Sequence, residues 1–126
     1  MTEIAPVDPQ GRSVIQAYGG GRFRISGTEF AGSVIVLVDA VLPWSDGDRG
    51  DVSIAGLSPV VEAEPAVEIL LLGTGSTMRP LAPDLRGALK RHGIVGDAMD
   101  TGAACRTFNI LAGEDRRVAA ALMADA

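Results

Sequence analysis

The chain has 126 residues, which is enough for one domain with a hydrophobic core that needs no disulfide or metal ion to hold it together. Hydrophobic residues make up 47% and charged residues 21% of the chain, a composition that excludes an intrinsically disordered protein. The formal net charge is -5, with 16 acidic against 11 basic side chains, and this excludes a general nucleic-acid binder because such binding depends on Lys and Arg at phosphates.

The cysteine content and the length of the apolar runs indicate where in the cell the protein is located. One cysteine cannot form an internal disulfide, and the first residues lack the basic and long apolar segments of a signal peptide. The apolar runs are far shorter than the roughly 20 residues that a membrane-crossing helix needs. We therefore expect a cytoplasmic protein that is not integral to a membrane, with peripheral attachment to an inner membrane left open. One cysteine and one histidine predict no zinc site, and we expect no metal and no cofactor.

The first half of the chain reads as β-rich. Residues 1–13 contain two prolines and no apolar period, so we expect a flexible arm followed by a single α/β domain over residues 14–126. Two short β-type segments flank a glycine triplet between Val14 and Ser26, which predicts a hairpin. The apolar run from Ser33 to Trp44 predicts one central strand, and the polar "SDGDRGD" after it predicts a solvated loop.

The second half alternates between strand and helix patterns. A helix with proline in its first turn and basic residues in its last turn separates two apolar strands, and a further helix leads to a final strand. This order predicts a βαβαβ unit with right-handed crossovers. The predicted elements are the strand "AVEILLLGTG", the helix "APDLRGALKRHG", the strand "IVGDAMD", the helix "TGAACRTFNILAGE" and the strand "RRVAAALMA".

Two short polar segments follow the first two strands of this unit. Gly73, Thr74 and Gly75 end the first strand, and Asp100 and Thr101 open the second helix. Because the carboxyl ends of parallel strands meet at one edge of a sheet, we expect these segments to lie side by side. A small anion or polar ligand could bind there, but a plain turn and a capped helix start explain the same residues. Neither a complete dinucleotide fingerprint nor a nucleotide P-loop is present.

Three further residues extend this candidate pocket. Arg79 and Arg106 would clamp a carboxylate or phosphate, although exposed arginines are most often only solvated. Cys105 lies one turn into the second helix, where the helix end and Arg106 would lower the pKa of an exposed thiol. We favour a buried core cysteine because its neighbours are small and apolar.

Trp44 is the candidate interface residue. It stands at the end of the apolar run, directly before the polar loop, and is the chain's only tryptophan. Tryptophan is enriched at protein interfaces, yet a tryptophan that closes a core at a strand end is equally common. Both roles remain open from the sequence.

Taken together, several motifs resemble the domain of unknown function 498 family, whose relatives include a mitochondrial complex I assembly factor and the adipogenesis-associated domain protein. The resemblance rests on "AYGGGRFRISG", "VLPW", "LLLGTG", "LKRHGI", "MDTGAACRTFNIL" and "RRVAAALM". It implies a three-layer α/β domain with a mixed central sheet and an added β layer from the N-terminal half. It implies no established catalytic activity. The residues that match the family's motifs are Gly73, Thr74, Gly75, Asp100, Thr101, Cys105, Arg106 and Asn109.

The resemblance favours a non-enzymatic accessory domain that binds another protein and assists assembly of a membrane respiratory complex. The alternative is an anion-binding or polar-ligand domain, or an uncharacterised enzyme, that uses the two segments at the carboxyl edge of the sheet. We expect a protein partner, which could be a membrane complex subunit, and no nucleic acid. Self-association is left open.

Overall fold

The computed structural model describes residues 1–6 and 11–124. Of the predicted arm at 1–13, residues 7–10 lie outside the described part, as do residues 125–126 of the predicted domain. Thr2 and Glu3 form a short strand that pairs with Tyr18 and Ala17, so the start of the chain is joined to a sheet.

The N-terminal half forms an antiparallel sheet whose strands follow chain order. The predicted hairpin is present at its centre, where Tyr18 pairs with Phe23. Its turn contains Gly19, Gly20 and Gly21, which all have positive φ, a conformation that glycine adopts without steric cost. The strands are β1 (Thr2–Glu3), β2 (Ile15–Gly19), β3 (Arg22–Ile25) and β4 (Thr28–Ala31).

A mixed five-stranded sheet lies at the centre of the described fold, in the order β6-β5-β9-β7-β8. Strand β7 runs parallel to both β8 and β9, as the predicted βαβαβ unit requires, whereas β5 is antiparallel to β6 and β9. The strands are β5 (Val34–Leu37), β6 (Ala40–Pro43), β7 (Ile69–Gly73), β8 (Val95–Met99) and β9 (Val118–Leu122).

The prediction of one central strand from Ser33 to Trp44 is wrong. The chain reverses at Val38 and Asp39, and β5 and β6 pair with each other from Val34 opposite Pro43 onwards. Asp39 is exposed at the turn. The apolar residues on both sides suit strands equally well, so their composition does not reveal a reversal between them.

Four α-helices are present in the described residues, together with a 3-10 turn at Ala55–Leu57, and two of the α-helices connect the parallel strands. Pro83 begins the first connecting helix, and the Asp100 carboxylate caps the second by accepting from Ala103 N at 2.9 Å. The helices are α1 (Ser45–Arg49), α2 (Ser58–Val61), α3 (Pro83–Arg91) and α4 (Thr101–Gly113).

The prediction of a solvated loop at "SDGDRGD" is wrong, because Ser45–Arg49 forms α1 and two of its aspartates anchor the chain. Asp46 is buried and accepts hydrogen bonds from Ser53 N at 3.0 Å, Ser53 Oγ at 2.7 Å and Arg49 at 2.5 Å. The hydrogen bond from the Ser53 hydroxyl contributes most to holding the pKa of Asp46 below its ordinary value, against the opposing effect of burial. Asp48 accepts from Ser33 N at 2.8 Å, which joins α1 to the start of β5.

The central sheet separates two hydrophobic cores, which makes the described domain three-layered. One core lies between the sheet and the helices α2 and α3, and the other lies between the sheet, α4 and the N-terminal sheet. Successive residues of β7 alternate between the two cores, as the period of two in a strand requires. The predicted α/β class, the mixed central sheet and the additional β layer are confirmed.

Candidate functional site

The Gly73–Gly75 turn and the start of α4 lie side by side at the carboxyl edge of the parallel strands. Thr74 N donates to Met99 O at 2.9 Å, and Thr101 N donates to Gly75 O at 2.8 Å. The structure thus brings together the two segments that the strand order predicts to be neighbours.

The Thr101 hydroxyl joins three elements at this edge. It accepts from Gly75 N at 2.8 Å and donates to Met123 O, just after β9, at 2.8 Å. The side chain is buried, so both bonds are shielded from water. Met123 N in turn donates to Gly73 O at 2.9 Å, which ties the ends of β7 and β9 together.

The Thr74 hydroxyl is also engaged within the chain. It donates to Thr77 O at 2.7 Å, lies 3.2 Å from Met99 O, and accepts from Arg79 N at 3.0 Å. Thr74 is buried, and its bonds shape the loop that leads from β7 towards α3. Together the two threonines use their hydroxyl groups to close the carboxyl edge of the sheet.

Gly73 lets the end of β7 approach the start of α4 closely, and the closing of the carboxyl edge depends on this approach. A Cβ atom at Gly73 would lie 3.0 Å from the Thr101 Cα atom and 3.0 Å from Leu122 Cδ2. Gly75 has φ +90°, so the turn itself also requires glycine. The absence of a side chain at Gly73 thus lets β7 pack closely against the start of α4.

Arg106 and Asn109 both face the N-terminal sheet. Arg106 donates to the Tyr18 hydroxyl at 2.9 Å, on the exposed side of α4. Asn109 makes two hydrogen bonds with the Ile15 backbone, accepting from its N and donating to its O at 2.9 Å each. Asn109 thus acts as a docking residue between α4 and β2. Arg79 is exposed in the loop after Gly75.

Tyr18 and Gly102 form a structural contact near the candidate site that sequence reasoning missed. A Cβ atom at Gly102 would lie only 2.6 Å from the Tyr18 hydroxyl oxygen, so the tyrosine ring end is seated directly on α4. No sequence pattern links the two residues, since they are far apart in the chain and belong to different layers.

Cys105 lies in the core beneath this edge and is fully buried. Burial raises the pKa of the Cys105 thiol to about 12, against the smaller opposing effect of the Arg106 charge. The predicted core placement of the cysteine agrees with this geometry. The sulfur does not open onto a crevice between the two segments.

Trp44 is a core residue. The sequence left open whether it lies at an interface or closes a core. Its side chain is only 2% exposed, and it stacks so closely on Gly47 that no side chain fits there. The indole belongs to the core that α2 and α3 cover, so a partner that docks on the surface does not reach it in this conformation.

A cleft of about 300 Å³ lies at the opposite, amino edge of the parallel strands. Its apolar walls include Leu37, Val67 and Val118, and three arginines lie around it. Arg12 pairs with Asp115 at 2.8 Å and Arg117 pairs with Glu68, so two of these charges are balanced. The cleft brings together four separate parts of the chain, and for that reason no local motif signals it.

In the part of the chain that the structure describes, no helix has both the length and the apolar content to span a bilayer. Within the same residues, no three of the His, Cys, Asp and Glu side chains come together in a group that could hold a metal ion.

Comparison with known proteins gives a consistent family. Residues 15–123 match the model described as "Protein of unknown function (DUF498/DUF598)". NADH dehydrogenase [ubiquinone] 1 alpha subcomplex assembly factor 3 from Danio rerio is 40% identical over 111 residues, which are 88% of this chain and 64% of the relative. The human protein of the same name is 33% identical over 109 residues, 86% of this chain and 59% of the relative. The chain thus spans about three fifths of the length of these relatives.

Solved structures share the fold over nearly the whole chain. An outer membrane protein from Bartonella henselae has a TM-score of 0.80 and 38% identity, with 92% of this chain and 98% of that chain covered. A Mth938-like domain from Bordetella pertussis has a TM-score of 0.79 and 27% identity, with 99% and 95% covered.

Replacing Thr101 with valine should destabilise the domain. Thr101→Val keeps the shape of the side chain but leaves Gly75 N and Met123 O without their partner, at a cost of about 2 kcal/mol or more in the free energy of unfolding. Urea titration followed by circular dichroism measures the loss. Thr107→Val, on the half-buried side of the same helix, is the matched control and should change little. A loss for Thr101→Val below about 0.5 kcal/mol, the range of ordinary surface substitutions, would contradict the bridging role.

Cys105 should resist alkylation while the protein is folded. With the thiol buried and its pKa raised, the reactive thiolate is scarce, so iodoacetamide at pH 8 should react about a thousandfold more slowly than in urea-unfolded protein. Mass spectrometry of timed samples gives both rates. A Cys105→Ala, Ile110→Cys variant places a thiol on the exposed face of the same helix and should react quickly when folded. Equal rates for folded and unfolded wild type would show that the sulfur is accessible.

Proposed function

Because the chain belongs to the DUF498/DUF598 family, we propose that it is an accessory domain that binds a protein partner and assists assembly of a membrane respiratory complex. The observation that carries this proposal is the extent of the likeness to NADH dehydrogenase assembly factors. At 40% identity, the Danio rerio relative aligns with 88% of this chain, so the shared unit is the whole domain rather than one motif.

The geometry of the carboxyl edge supports a binding scaffold. The residues that match the family's motifs there form bonds within the chain: Thr74 to Thr77, Thr101 to Met123, and Asp100 to Ala103. An anion or polar ligand at this edge would have to compete with those bonds for the same hydroxyl groups. We therefore propose that these residues hold the layers in place, and that the partner contacts the outer surface.

We further propose that the domain acts in the aqueous phase and meets a membrane complex at its water-exposed side. The acidic balance of the chain, with 16 acidic against 11 basic side chains, suits a protein partner better than an anionic lipid surface. The partner on this account is a subunit of an NADH dehydrogenase, because that is the complex named for the relatives.

Affinity capture of the tagged protein from its own cells tests this proposal. The capture is made with and without a detergent-solubilised membrane fraction, and mass spectrometry identifies the bound proteins against an untagged control. NADH dehydrogenase subunits should be enriched when the membrane fraction is present. Capture that enriches no subunit of that complex would contradict the assembly role.

A further inference from the structure

The central sheet has two edges in the described fold, and they differ in their ability to accept another strand. Strands β6 and β8 are the outermost strands, and the sheet order gives neither of them a second neighbour. An edge strand carries a row of unpaired N–H and C=O groups on its outer side, which a further strand can pair with.

Strand β6 lacks one of the donors of an open edge. Trp44 N donates to Ser33 O at 2.9 Å, so Pro43, one residue earlier, turns its backbone away from β5. Proline has no N–H group and therefore cannot donate a hydrogen bond to an added strand at this outward position.

Strand β8 has no such missing donor. Val95 N donates to Glu68 O and Met99 O accepts from Thr74 N, each at 2.9 Å, so these two residues direct their backbone groups towards β7. Since alternate residues of a strand point to opposite sides, Gly96 and Ala98 direct their N–H and C=O groups outwards. Arg86 donates to Gly96 O at 3.3 Å and occupies one of these acceptors with a side chain that can be displaced.

The side chains of β8 indicate the chemistry of the occupant. Val95 is 66% exposed, and the exposed Asp97 carboxylate lies at the centre of the strand, on the same face. An antiparallel pairing of two copies through Gly96 and Ala98 would place the two Asp97 side chains directly opposite each other, where like charges are destabilising. The edge therefore suits a different chain with a basic residue opposite Asp97.

We propose that β8 is the attachment site for an extended segment of the partner protein, which adds to the central sheet beside β8 and places a lysine or arginine opposite Asp97. This inference rests on the proposed function for the existence of a partner, and it assigns the surface that the partner uses. Backbone hydrogen bonds to Ala98 supply affinity, and Asp97 and Val95 select a segment with basic and apolar side chains.

Proline substitution tests the backbone part of the proposal. Ala98→Pro removes the outward N–H group and leaves the ladder with β7 intact, and it should reduce capture of the NADH dehydrogenase subunits by about tenfold or more. Ala31→Pro is the matched control, because Ala31 is an exposed end residue of the edge strand β4 in the other sheet, and its N–H also points away from its neighbour. Urea titration establishes that both variants fold.

Charge reversal tests the side-chain part without altering the backbone. Asp97→Lys should reduce capture by about tenfold, whereas Asp51→Lys, at an exposed aspartate outside β8, should leave it unchanged. Hydrogen–deuterium exchange of the captured wild-type complex should show added protection in residues 95–99.

The outcomes separate this inference from the proposed function. Loss of capture in the β8 variants alone supports both. Equal capture by wild type, Ala98→Pro and Asp97→Lys overturns the β8 assignment and leaves the assembly role standing. Failure of the wild type to capture any subunit overturns the assembly role itself. A wild-type dimer in light scattering that becomes a monomer in Ala98→Pro would assign the edge to a second copy and contradict a separate partner.

Discussion

The hydrogen bonds of the Thr101 hydroxyl are the constraint on which the arrangement of layers depends. One buried oxygen accepts from Gly75 N and donates to Met123 O, and so links the ends of β7 and β9 to the start of α4. With α4 held at this end, Asn109 in the second half of the helix joins it to the N-terminal sheet through two hydrogen bonds with the Ile15 backbone. A substitution at this one residue would therefore disturb the contacts of α4 with both sheets.

Much of the C-terminal half is predictable because its signals are local. A buried apolar run predicts β7, proline and basic residues mark the two ends of α3, and Asp100 marks the start of α4. The glycine triplet likewise predicts the β2–β3 hairpin, since its φ values suit glycine. Each of these features is decided by a few neighbouring residues, so the sequence carries them directly.

The features that sequence reasoning missed depend on contacts between distant parts of the chain. The reversal at Asp39 divides one apolar run into two strands, and Asp46 turns a polar segment into an anchored helix because Ser53 lies within reach. The positions of the candidate site residues show the same limit. Their proximity follows from strand order. Two of their hydrogen-bond partners, Met123 for Thr101 and Tyr18 for Arg106, lie elsewhere in the chain, and no local pattern identifies them.

The carboxyl edge of the sheet is closed and strand β8 is open, and amide hydrogen exchange measured by NMR on the free protein tests this difference most directly. The amides of Thr74, Gly75 and Thr101 should exchange as slowly as that of Leu71 in the centre of β7, because all are released only by global unfolding. The outward amide of Ala98 should exchange at least about a hundredfold faster. Exchange of Thr74 and Gly75 as fast as that of Ala98 would contradict a closed edge and return these residues to consideration as a ligand site.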